Sequence, residues 1–367
     1  MAGILHKMDY RFTIRAGSDV STALPNHVVE LIDVDALIPL NDVIDKIGRD
    51  RFYEAPLKEG TVDKDNFSIP LYSHAQVMWY RKDLLEEAGL DVPNTWDELY
   101  DAAQKLNNPP NVYGLSVPMG SGDMMATRFL NFYVRSAGDT LVTEDGKAKL
   151  TSKAAIDGIN YWVKMYKAAS PEGSVNYKVL DQATLYYQGK TAFDFNSGFQ
   201  IGGVETNSPQ LMEQIGAAPI PKVNADDPER GIETSNIPLV VWENSKHPEI
   251  AKAFVESLYD KEGYIKFLHS VPAGMLPALK DIAEDPEFLN DPTIKKFDDA
   301  VKVISAAIDK GTAIGMENGP TLQSGIITSQ GVIEKMFQDI VLKDMPVEEA
   351  AEKAEKELNN LFKTLGL

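Results

Sequence analysis

The sequence predicts an α/β protein built as two lobes with a cleft between them. Short apolar runs alternate with helical patterns along the whole chain, which argues for layered α/β architecture. The 367 residues are enough for two sizeable cores rather than one. No Gly/Ser-rich or Pro-rich linker divides the chain, so the lobes are expected to be intertwined, with the backbone crossing between them more than once. A cleft between such lobes is a natural ligand site, and lobes joined by a few crossing segments can close by hinge motion.

Strands are predicted at 28–32, 66–70, 77–80, 114–118, 191–195, 216–219 and 239–242. Helices are predicted at 82–88, 95–106, 126–137, 153–168, 181–188, 248–258, 261–269, 292–307, 331–342 and 347–365. Local signals mark several ends. In Asn94-Thr95-Trp96-Asp97-Glu98 a cap residue and early acids satisfy free N–H groups and the helix dipole. Ala88-Gly89-Leu90 is a glycine stop, and Pro248 and Pro292 stand where helices begin.

Composition excludes several function classes. The formal net charge is −19, and no Lys/Arg cluster stands out, so nucleic acid is not expected as a partner. With no cysteine there is no disulfide, thiolate nucleophile, Cys zinc site or lipid-modified Cys in this chain. The five histidines, His6, His27, His74, His247 and His269, show no HxxxH or HxH spacing, so neither a metal site nor a cofactor is expected. No apolar run reaches the roughly 18 residues of a membrane span. The start carries no apolar signal region followed by a cleavage site. A glycosidase-like enzyme would need two carboxylates facing each other across the cleft. With 55 acids chance pairs are common, and no nucleophile elbow, Walker A or zincin motif occurs. The protein is therefore not expected to be an enzyme.

The specific signal is a series of motifs in order. Phe67-Ser-Ile-Pro-Leu-Tyr, then Val77-Met-Trp-Tyr-Arg-Lys-Asp-Leu-Leu-Glu-Glu-Ala-Gly-Leu and Pro93-Asn-Thr-Trp-Asp-Glu-Leu lead it. Gln188-Gly-Lys-Thr-Ala-Phe-Asp-Phe-Asn-Ser-Gly-Phe, Ala218-Pro-Ile-Pro and Glu243-Asn-Ser-Lys-His-Pro-Glu-Ile-Ala-Lys-Ala-Phe follow. Ala273-Gly-Met-Leu-Pro-Ala and the helix from Val347-Glu-Glu-Ala-Ala complete it. This order resembles the family 1 extracellular solute-binding proteins of carbohydrate ABC importers, of the maltose-binding type. The resemblance implies a type II periplasmic-binding-protein fold with two lobes, hinge closure on a sugar or sugar-like solute, and delivery to permease subunits. It places the N-terminal lobe at 1–73 plus 238–312 and the C-terminal lobe at 76–234 plus 317–367. The crossings fall near 73–76, 234–238 and 311–317. It further implies a periplasmic or extracellular location and a monomer. In this sequence Ile14-Arg-Ala-Gly-Ser-Asp-Val already matches the element that follows the family's first strand, helix and second strand. The first strand and helix of the N-terminal lobe are therefore expected to be missing, leaving an unpaired sheet edge that another chain could complete.

A sugar site needs aromatic faces for the C–H side of the ring and planar polar groups for the hydroxyls. The resemblance puts Asn26 at the cleft, although Asn after Pro25 is also a turn former. His74 falls at the first crossing, as a ligand contact or a hinge histidine bonded to backbone. Phe199 replaces the family's stacking Trp, with Asn196 in the same turn. Arg128, at a helix start after Asp123, could hold a carboxylate or phosphate by its fork, lie on the solvated face, or pair with Asp123. Ser235 and Asn236 lie at the second crossing, Glu317 and Asn318 at the third. Gln330 near a helix start and Met275 in the Gly-Met-Leu-Pro loop complete the candidates. Contact by Arg128 would favour an acidic sugar or phosphorylated polyol; otherwise a neutral sugar is expected. Trp79, Trp96, Trp162 and Trp242 are expected to be structural.

Overall fold

In a computed structural model, residues 18–308 and 310–367 are described. The expected loss of a first strand and helix falls on residues 1–17 and lies outside the described residues. The strands, in chain order, are β1 Val20–Thr22, β2 Thr61–Val62, β3 Asp65–Asn66, β4 Ile69–Ala75, β5 Val77–Arg81, β6 Tyr113–Leu115, β7 Thr191–Asn196, β8 Ile215–Ala218, β9 Thr234–Val241 and β10 Leu276–Pro277. They form two four-stranded sheets and a small β2–β3 hairpin. The first sheet has the order β1-β9-β4-β10, all neighbours antiparallel. The second has the order β6-β7-β5-β8, in which β6 and β7 run parallel and the other pairs antiparallel.

The chain passes from the first sheet to the second at one residue, Gln76, between β4 and β5. Two further segments join it there. Gln76 N–H donates to Glu233 O at 2.9 Å, and Thr234 N–H donates to Thr312 O at 3.3 Å. Three backbone segments thus lie side by side between the sheets.

Helices surround both sheets because their apolar faces repeat at helical spacing. Helix Trp96–Leu106 begins with a full capping box: Thr95 Oγ1 accepts from Glu98 N–H, and the Glu98 carboxylate accepts from Thr95 N–H. Gly89 ends helix Lys82–Ala88 in the left-handed region at φ +63°. One core packs Trp96, Phe129, Trp162, Phe193 and Phe195 against one face of the second sheet. A second core is shared by both sheets: Leu71 and Leu239 of the first join Val77, Trp79 and Ile215 of the second. β5 feeds both, with Met78 on one side and Trp79 on the other, as the strand period of two requires. Trp79, Trp96 and Trp162 are buried; Trp242 is half-buried, and its Nε1 donates to Ser21 Oγ.

Three expected elements differ. Residues 28–32 are helical, within Pro25–Asp33, and not a strand. Pro25 opens that helix and Val28, Val29 and Leu31 are buried; a short apolar run does not by itself separate a buried helix from a strand. The predicted strand 66–70 is divided between the β2–β3 hairpin and β4. The single helix expected at 292–307 is two, Pro292–Lys296 and Asp298–Ile308, separated at Phe297.

Candidate functional site

Strand β4 carries the site because alternate residues face opposite ways. Opposite β9, Ser73 pairs with Asn236, and His74 with Ser235. His74 reaches the second sheet's side of the molecule: its ring meets Phe199 edge-on at 5.6 Å. Phe199 opens the helix Phe199–Asn207, directly after β7 and the turn Ser197-Gly198. Loop 271–275 closes over the same place; a methyl group on Gly274 would meet the Phe199 ring at 3.2 Å. Met275 lies in that loop, half-buried against the shared core. The structure therefore brings together His74, Phe199, Ser235 and the Met275 loop.

Arg128 joins them from helix Met125–Ser136. The preceding residue anchors that helix: Thr127 N–H and Oγ1 both donate to the buried Glu334 carboxylate, at 3.0 and 2.9 Å. Arg128 does not pair with Asp123. Its Nε donates to Glu233 Oε1 at 2.8 Å, and its Nη1 contacts Met125 Sδ at 3.4 Å. Asp123 is instead occupied by backbone, accepting from Met124 N–H and Val179 N–H. Both ends of the Arg128–Glu233 pair are buried, and Glu233 Oε2 has no partner. Burial pushes the Glu233 carboxyl up despite the guanidinium beside it. His74 Nδ1 is enclosed and without a partner, and burial, then the Arg128 charge, press the imidazole down to about 3. The ring is neutral at physiological pH.

A second polar group lies on the other face of β4 and β9. Asn236 Nδ2 donates to Glu59 Oε2 at 2.6 Å, and Ala313 N–H donates to Glu59 Oε1 at 2.8 Å. One carboxyl thereby ties the second and third connecting segments. Burial pushes Glu59 up to about 7, against the lowering effects of Asn236, the Ala313 N–H and Arg135. Arg135 donates to Thr312 O at 3.0 Å and to Thr312 Oγ1, and faces Glu317 at 3.4 Å.

The remaining candidates are dispersed. Asn26 is the second residue of its helix and donates to Thr328 Oγ1 at 3.4 Å, a contact between that helix and Leu322–Ser329. Asn196 Oδ1 accepts from Ser197 N–H within the turn. Asn318 is exposed and lines a cavity of about 380 Å³ with Thr143, Asp145 and Gln323. Gln330 is exposed at the end of helix Leu322–Ser329, beside Ser329. The sequence reading missed Glu233, Glu59 and Arg135. Glu233 adjoins the second crossing and was open to inspection there; Glu59 and Arg135 carry no local signal. No cluster of His, Cys, Asp or Glu among the described residues could hold a metal ion. No described helix is long and apolar enough to cross a membrane.

Solved structures share this architecture. An ABC transporter solute-binding protein of Thermotoga lettingae, bound with α-D-tagatose, superposes with a TM-score of 0.82 at 21% identity, covering 98% of this chain and 89% of that one. One of Agrobacterium radiobacter, in complex with ribitol, gives 0.83 at 20% identity with the same coverage. The arabinooligosaccharide-binding protein of Halalkalibacterium halodurans is 23% identical over 273 residues, 72% of this chain and 59% of that protein. The fold is that of the type II periplasmic binding proteins. Residues 10–265 match the family described as bacterial extracellular solute-binding protein, and the chain belongs to that family.

Proposed function

We propose that this protein is the extracytoplasmic solute-binding component of an ABC importer. It takes a sugar or polyol in the seam between the two sheets and presents the closed form to permease subunits. The observation that carries this reading is the meeting of His74 and Phe199 beside buried polar atoms without partners, a pairing of ring face and hydrogen-bonding groups that suits a polyhydroxylated solute. Family membership and the tagatose and ribitol named for the two solved relatives support it. In this reading the lobes are 18–73 plus 238–312 and 76–234 plus 317–367, the three adjoining segments form the hinge, and no reaction is catalysed. The protein acts in the periplasm or outside the cell.

The test is a thermal-shift screen against neutral sugars, polyols, uronic acids and sugar phosphates. Binding to the native state raises the melting temperature by mass action. A rise with one neutral class is expected; a cooperatively melting protein that responds to none overturns the reading. Phe199→Ala is expected to weaken the solute about tenfold, the loss of one ring contact. Calorimetry showing unchanged affinity would remove Phe199 from the site.

Closure makes its own prediction. A methyl group on Gly198 would lie 1.8 Å from Ala273 O, so the two loops meet at a distance that no other residue permits. Gly198→Ala is expected to hold the lobes apart and to cost roughly 1–3 kcal/mol of binding, as overpacking does. Small-angle scattering checks it: the variant should stay extended at solute concentrations that compact the wild type.

A further inference from the structure

The seam holds more charge than a sugar site requires, and its arrangement bears on which solutes can enter. Arg128 and Glu233 are 8% and 2% exposed, so neither charge is shared with bulk water. The Arg128 guanidinium, suited by itself to a carboxylate, already has its Nε–H bonded to Glu233 Oε1 at 2.8 Å. The neighbouring guanidinium is engaged as well: Arg135 holds Thr312 and faces Glu317. These two cations stand among three carboxyl groups: Glu233 acts electrostatically on Glu59, and Glu317 on Glu233. An anion brought to this seam would find Arg135 held by Thr312 and Glu317, and Arg128 already facing a counter-charge at its Nε. It would also face Glu233 Oε2, a buried carboxylate oxygen with no partner. A hydroxyl group meets the reverse situation. Glu233 Oε2 and His74 Nδ1, both enclosed and without a partner here, are acceptors that a solute O–H could satisfy once the lobes part to admit it.

We infer that Glu233 is the specificity-determining residue of the site, and that by occupying Arg128 it makes the protein accept neutral polyhydroxy solutes and reject the corresponding acids. The inference rests on the solute-binding reading above and adds the charge class of the solute. Removing the negative charge of Glu233 should free the Arg128 Nε for a carboxylate and weaken the preference.

The experiment is calorimetric titration of the whole chain with matched pairs: galactose against galacturonate, glucose against glucuronate, and ribitol against ribonate. Wild type should favour the neutral member that binds by about 100-fold or more, because like-charge juxtaposition is strongly discriminating. Glu233→Gln keeps the shape and removes the charge, and should shrink that ratio by about tenfold or more. Melting curves establish that the variant is folded. The double variant R128Q/E233Q, which has no charge to pair, should bind the neutral solute and lose most of the discrimination. A wild type that binds an acid within about threefold of its neutral partner overturns the selectivity and leaves the solute reading standing. An unchanged ratio in Glu233→Gln does the same. A folded wild type that binds neither member of any pair overturns the solute reading, and the selectivity with it.

Discussion

Arg128→Ala is expected to lower the unfolding free energy by about 3–5 kcal/mol, the usual cost of removing one partner of a buried ion pair. The loss comes from what remains. Glu233 is 2% exposed, one of its oxygens has no partner, and its carboxyl is pushed up by burial even with the guanidinium present. Without Arg128 the group is driven further towards its protonated form. A carboxyl whose folded pKa lies above its unfolded value destabilises the fold as pH rises through that interval. The deficit of Arg128→Ala should therefore be larger at pH 8 than at pH 5. Urea unfolding of both proteins at the two pH values measures it. A deficit below about 1 kcal/mol at pH 8 would mean that water reaches Glu233 and that the pair is not buried in solution. The double variant R128M/E233L should recover most of the loss, since well-packed apolar residues replace a buried pair at little cost. Such recovery would separate the pair from stability and fit its proposed role in selecting the solute.

Glu59→Gln is expected to change the pH dependence of stability by roughly 2–3 kcal/mol between pH 5 and pH 8. Glu59 titrates near 4.5 when unfolded and is pushed up to about 7 in the fold. Between those values the native state holds a proton that the unfolded chain has lost, so this group's contribution is present at low pH and falls as pH rises towards 7. The groups facing it are Asn236 from β9, the Ala313 N–H from the third connecting segment, Arg135 and Glu233. His74 acts in the opposite sense: its folded value of about 3 lies below 6.5, so stability falls as pH drops through that interval. Wild type therefore shows a partial cancellation, and the variant reveals the His74 slope. A glutamine fits the site. Its oxygen can keep the Ala313 N–H, and its amide can donate to Asn236 Oδ1, which has no partner, once that amide is rotated. Glu59→Gln should accordingly gain on wild type as pH rises. A stability difference that stays constant from pH 5 to pH 8 would overturn the assignment of a raised carboxyl at Glu59.

Elements with local signals were readable from the residues alone. Thr95 with Glu98, Gly89 and Pro248 mark helix ends through hydrogen bonds and dihedral preferences confined to a few neighbouring residues, and all three fall where they were expected. The ordered motifs from Phe67 to the last helix likewise carried the family and its fold. The other features depend on long-range packing. Whether 28–32 is strand or helix depends on what its apolar residues pack against, which a five-residue run does not encode. Arg128 was legible as an unusual residue, yet its partner lies 105 positions away, and its reading turned on that partner. Glu59 and Asn236 are 177 positions apart and meet only because the end of helix Glu54–Lys58 packs beside β9. The charge state and availability of such groups are set by desolvation and by distant partners, quantities that exist only once the chain is folded.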